Sequence, residues 1–265
     1  MLHKAGVSGI PSTWAEFLDA AKALTSGDVK GMSLNAAQSE FYSAPWFMQN
    51  GVNYYDPEAE DTLVPHQAAL EAMRFQHDLV YKHKVAPVPS QASDYTIPRK
   101  LFTAGRVGMI FTGPWDVAPI QEGNPDLRFH IGQALHHKKQ GAPTAGSSMF
   151  VPKKAKHPDL AWDLIKRLTT LDVELQVTKE SSQTMPRRSW AESEQVKNDP
   201  MLAPFGEGLK YASDYVADAA RSGALLDLSD DFRRAWQQIM MQRAPVEDTL
   251  ATFRRQAHGD LSRTQ

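Results

Sequence analysis

Trp115 is the residue of this chain with the most chemical potential. It follows Gly113-Pro114, at the end of a short apolar run over residues 107–111. Proline fixes the backbone where a strand ends, and open α/β folds place their ligands beyond the carboxyl ends of strands. A tryptophan held there is either a core plug or a flat stacking platform. The second constellation is Ser39-Glu40-Phe41-Tyr42, which opens a helix after a strand ending at Asn35. Unpaired backbone N–H groups meet acidic and hydroxyl side chains at such a helix start. The alternative is a capping segment followed by core aromatics. Trp46, four residues past Tyr42, shares its helical face and is expected inside.

Other chemistries find little support. His130, His136 and His137 lie in or beside a hairpin, where alternation splits them across faces, and no carboxylate stands at ligand spacing. Glu58, Glu60 and Asp61 form an acidic loop without the alternating ligands and turn glycine of a dedicated calcium site. There is no nucleophile elbow, no phosphate-binding glycine loop and no HExxH. Asp and Glu are plentiful, but nothing nominates a glycosidase pair.

The elements that must position these residues are mostly helical. Thr13-Trp14-Ala15-Glu16 is a capping box that opens a helix reaching Leu24. Periodic apolar spacing predicts helices from Pro65 to His83 and from Pro158 to Thr169, and two more near the end, through Leu228–Ile239 and Val246–Ala257. Strands are few: residues 31–35, 107–111, 128–134 and 148–151. Gly105 closes the helix before the second of them. Residues 135–148 are polar, then glycine-rich, and read as a hairpin tip and hinge. Helices with sparse short strands between them point to an α/β layer fold.

Composition is that of an ordinary globular chain: 265 residues, 42% hydrophobic and 23% charged. A formal net charge of −2 gives no reason to expect nucleic acid or an anionic membrane as partner. The absence of cysteine excludes disulfides, thiol catalysis and cysteine-ligated zinc.

In order along the chain, residues 4–25 (KAGVSGIPSTWAEFLDAAKALT), 39–55 (SEFYSAPWFMQNGVNYY), 101–115 (LFTAGRVGMIFTGPW), 145–170 (AGSSMFVPKKAKHPDLAWDLIKRLTT) and 184–190 (TMPRRSW) carry a resemblance. With these segments the chain resembles the extracellular solute-binding proteins of sugar ABC importers, the family of the maltose-binding and glycerol-phosphate-binding proteins. The resemblance implies an α/β fold of the periplasmic binding protein-like type II class. Residues 1–145 would form the first part of the C-terminal lobe, 146–197 the hinge and an N-lobe crossover segment, and 198–265 the closing helices. Family members carry a further N-terminal region ahead of the segment at Lys4, so the N-terminal third is expected to be lacking.

The resemblance further implies a truncated, non-catalytic substrate-binding protein that holds a sugar or sugar derivative non-covalently in an interlobe cleft. A membrane ABC permease would be its partner. No cofactor, metal or nucleic acid is implied, and the full-length protein would be periplasmic or extracellular, with its signal peptide absent from this chain. Sugar recognition needs flat apolar faces and a few hydrogen-bonding groups. The implied ligand contacts are Trp115, Tyr42, Phe41, Glu40, Ser39, the small-residue segment Gly146, Ser147 and Ser148, Arg187 after Met185-Pro186, and Asp230. Asp230 stands near a late ligand position at which the family has an aromatic and this chain has none. The alternative is a helical interaction module that self-associates, or docks to a separate N-terminal fragment, through an apolar stripe on the helix beginning at Pro158.

Overall fold

The computed structural model describes residues 2–90, 93–144, 146 and 148–264. The chain divides into two compact units: the first comprises Met1–Phe111, Ala134–Pro143 and Tyr211–Gln265, the second Thr112–Gln133 and Thr144–Lys210.

The first unit begins with helix α1 (Trp14–Leu24). The Thr13 hydroxyl accepts the Glu16 N–H at 3.2 Å, and the Glu16 carboxylate reaches back to the Ser12 N–H and hydroxyl at 2.8 and 2.7 Å. The reciprocal cap is therefore shifted by one residue from the expected box. Strand β1 (Lys30–Ser33) follows, then the short helices α2 (Ser39–Tyr42) and α3 (Ala44–Gln49). Strands β2 (Asn53–Asp56) and β3 (Asp61–Val64) form an antiparallel hairpin, with Asn53 opposite Val64. Helices α4 (His66–Tyr81) and α5 (Ile97–Thr103) lead to β4 (Val107–Ile110), which pairs parallel with β1 so that Met32 faces Met109. α1 crosses this pair closely because two glycines allow it. A Cβ on Gly31 would lie 2.1 Å from the Ala21 carbonyl oxygen, and one on Gly108 would lie 2.8 Å from a Leu24 methyl.

After β4 the chain enters the second unit with α6 (Val117–Gly123), and returns to the first for the hairpin tip and β5 (Ala142–Pro143). His136 bridges Gln140 across that tip, as the sequence predicts, and the Lys138 and Lys139 N–H groups donate to the Gln49 carbonyl at 3.0 and 3.2 Å. The second unit continues with α7 (Pro158–Leu168), α8 (Leu171–Ser181), α9 (Arg188–Ala191), α10 (Glu194–Lys197) and α11 (Ala203–Gly208). The first unit closes with β6 (Ala212–Ser213), parallel to β5, and helices α12 (Ala217–Ser222), α13 (Leu225–Gln242) and α14 (Val246–Thr264).

The core of the first unit is extensive and aromatic. Trp46, Phe47, Tyr54, Phe232, Trp236 and Phe253 are all fully buried, and the Trp46 ring meets Phe111 at 4.6 Å and Trp14 at 5.5 Å. Trp46 is thus a core residue, as its spacing from Tyr42 predicts. Gln76 supplies the polar centre: its side-chain oxygen accepts from the Ser43 hydroxyl at 2.9 Å and the Trp236 indole at 3.2 Å. The core of the second unit is small, built on Trp190, Val196 and Leu202.

Two strand expectations are corrected. Residues 128–134 and 148–151 join no ladder; among the described residues every sheet is a two-stranded pair drawn from β1–β6. A strand is defined by its partner, and local alternation cannot supply one.

Candidate functional site

α2 begins where β1 and its following loop deliver the chain to the face of α13. Gln38 sits in the left-handed region at φ 50° and turns the backbone sharply before the helix. The turn brings Ser39 and Glu40 inward and leaves Phe41 and Tyr42 half-buried, their rings edge-to-face at 5.6 Å and 88°. The Ser39 hydroxyl and one oxygen of the Glu40 carboxylate (Oε2) are buried without a hydrogen-bond partner in the protein. Buried polar atoms in that condition accept a water or a ligand hydroxyl.

Arg233 completes the group from α13. One terminal nitrogen lies 3.7 Å from Glu40 Oε1, and the other bonds the Asp230 carboxylate. Burial pushes the Glu40 carboxyl above the ordinary carboxylate range, while its own backbone N–H and the Arg233 guanidinium oppose the shift. Tyr54 lies close enough for the Glu40 charge to act on it, and burial raises its phenol well above the usual value, with the Ser229 hydroxyl beside it acting in the opposite direction. The first unit therefore assembles an acid, a hydroxyl and a half-exposed aromatic pair in one place. Such a group binds hydroxyl-rich solutes through hydrogen bonds and ring stacking. It has no base–nucleophile pair aimed at a reacting atom.

The structure brings Ser39, Glu40, Phe41 and Tyr42 together with Asp230, the last through Arg233. The other expected contacts belong to the second unit. Trp115 is half-buried in the turn Pro114–Asp116. Its six-membered ring folds back over Gly113, where a Cβ would stand 2.3 Å from it. The buried Asp116 carboxylate accepts the Thr112 hydroxyl and ties this turn down. Gly146 and Ser148 are exposed, and Ser147 lies outside the described residues. Arg187 donates to the Glu174 carboxylate at 3.0 Å and to the Thr169 carbonyl, and so ties its turn to the N-terminal end of α8. Among the described residues no group of three or more His, Cys, Asp or Glu side chains is placed to hold a metal ion. In the acidic loop, the Asp56 carboxylate accepts the Glu58 and Ala59 N–H groups instead.

The family of bacterial extracellular solute-binding proteins matches residues 1–173. The chain belongs to that family. A maltotriose-binding protein of Pyrococcus abyssi is 22% identical over 169 residues, which cover 61% of this solute-binding protein and 36% of that one. A binding protein of Brucella abortus is 25% identical over 214 residues, covering 77% of this chain and 51% of the other. The chain thus spans between about a third and a half of the length of these relatives. Among solved structures, a Thermotoga lettingae ABC-transporter solute-binding protein bound to α-D-tagatose superposes with a TM-score of 0.83 at 21% identity, over 98% of this chain and 68% of that one. The sugar-binding protein MalE of Xanthomonas citri gives 0.81 at 19% identity, over 99% and 66%. These likenesses identify the fold as the type II periplasmic binding protein class.

Arg233 is the member of this candidate group that inspection of the sequence does not single out. Its signal is the spacing: Asp230 stands three residues earlier on the same helix, close enough to hold the guanidinium in place.

Proposed function

We propose that this chain is part of a substrate-binding component of a carbohydrate ABC importer, and that it captures a sugar without chemistry. The observation that carries the reading is the pair of unpartnered buried oxygens, on Ser39 and Glu40, beside the half-buried Phe41–Tyr42 pair. Sugars present hydroxyls and flat C–H faces together, and this group answers both. The sugars named for the Pyrococcus abyssi and Thermotoga lettingae relatives support the same ligand class. Trp115 is a further candidate contact, contributed by the second unit. A membrane permease is the proposed recipient of the bound sugar, and the compartment is periplasmic or extracellular.

Titration calorimetry with a panel of mono- and disaccharides tests the reading. A saturable heat whose affinity falls about tenfold or more in Glu40→Gln, since one lost hydrogen bond to a charged group is worth about 1.5–3 kcal/mol, and that also weakens in Tyr42→Ala, supports it. Affinity unchanged in both variants sinks it.

A second reading, a non-catalytic helical interaction module, is favoured by α7, none of whose residues is buried.

A further inference from the structure

α7 carries Leu160, Leu164 and Leu168 at four-residue spacing, 67%, 55% and 43% exposed. Immediately upstream in the same unit, residues 148–151 have the composition of a buried strand, yet Met149 and Phe150 are 51% and 79% exposed and join no ladder. An amphipathic helix and a strand-like run are the two components of an α/β layer, and here both lack the sheet that would cover them. Clustered exposed apolar side chains of this kind mark an interaction surface.

We propose that α7 and residues 148–151 form a docking surface for a sheet-bearing polypeptide, and that the occupant is the third of the relatives' fold lying outside these 265 residues. The inference deepens the interaction-module reading and rests on it. Two observations select this occupant. The Thermotoga lettingae and Xanthomonas citri structures match 98% and 99% of this chain over only 68% and 66% of their own length, so about a third of each has no counterpart here. Residues 148–151 also join no ladder among the described residues, and a strand edge supplies both main-chain partners and apolar cover by β-augmentation. A second copy of this chain would cover α7 with an equally sheetless unit, because among the described residues the second unit contributes no strand to any ladder.

The test mixes the purified chain, without sugar, with a polypeptide made of the unmatched third of the Thermotoga lettingae protein. Sedimentation velocity should show a one-to-one complex. Amide exchange in α7 and residues 149–151 should slow about tenfold or more. Leu164→Glu and Phe150→Asp should each abolish both effects while leaving far-ultraviolet circular dichroism unchanged, since both side chains are exposed in the free chain. The proposal is overturned if the fragment slows no exchange, if slowing survives both substitutions, or if raising the concentration of the chain alone produces it, which would assign the face to a second copy. Because no sugar is present, this result is independent of whether the Ser39–Tyr42 group binds one.

Discussion

Arg233 on α13 reaches the Glu40 carboxylate on α2 at 3.7 Å while also holding Asp230 on its own helix. A buried acid at the proposed ligand group is thus partly balanced by a cation from an element far along the chain.

The burial of Glu40 sets a pH dependence that this pairing moderates. Burial raises the Glu40 carboxyl, so the folded state holds its proton at a pH where the unfolded chain has released it. The Glu40 contribution to stability is fully present at low pH. It is lost as pH rises from the ordinary carboxylate range through the raised value. Urea unfolding of Glu40→Gln should show a weaker decline across that window than the parent protein. A parallel pair of curves would contradict the assignment. Arg233→Gln should raise the Glu40 carboxyl further, read by carbon-13 titration of labelled glutamate.

Gly113 is required by Trp115. A methyl group there would stand 2.3 Å from the indole, so Gly113→Ala must displace the ring or the turn. The expected cost is about 1–3 kcal/mol, with a red shift of tryptophan emission. Trp115→Ala, removing a half-buried ring, should cost less than the about 3–5 kcal/mol of a core tryptophan. Denaturant titration measures both, and a full core-sized loss would make Trp115 a plug.

Gln76 holds two donors in the core, the Ser43 hydroxyl and the Trp236 indole. Gln76→Leu preserves approximate volume and removes their acceptor. Each abandoned donor costs about 1–3 kcal/mol, and the summed loss should appear as a lower denaturation midpoint with an unchanged slope. A neutral outcome would mean that water replaces the amide.

Asp94 anchors the start of α5. Its carboxylate accepts the Thr96 N–H at 2.8 Å and the Lys100 ammonium at 2.9 Å, and also the Thr96 hydroxyl. These bonds, the Thr96 hydroxyl first, hold its pKa down to about 2 from 3.8. The stabilisation is present above the ordinary value and is lost as pH falls toward about 2. Asp94→Asn should speed amide exchange in α5 at neutral pH and abolish its acid dependence. Exchange equal to the parent at pH 7 would show that the cap is dispensable.

Much of the helical framework was legible in the residues themselves. Thr13 and Glu16 cap α1, the spans of α4 and α7 lie within about two residues of the observed ends, and the apolar periods of the last two helices fall inside the longer α13 and α14. The burial of Trp46 and the hairpin tip at His136–Gln140 were also readable. The strands at 128–134 and 148–151 were not, since alternation describes a face and says nothing of a neighbour. Arg233 was not singled out because its partner on α2 is far away in sequence. The partners of the Arg187 guanidinium, Glu174 and Thr169, were likewise not legible.

Sequence by itself determined what depends on neighbours within a turn or two: caps, helix spans, the glycine stops and the apolar stripe of α7. The ordered set of segments also carried the family resemblance. Only tertiary structure decided which charges meet, which strand-like runs find a ladder and which apolar faces stay uncovered. Helix hydrogen bonds close over four residues, whereas strand pairs, ion pairs and cores join groups whose separation along the chain leaves no local mark.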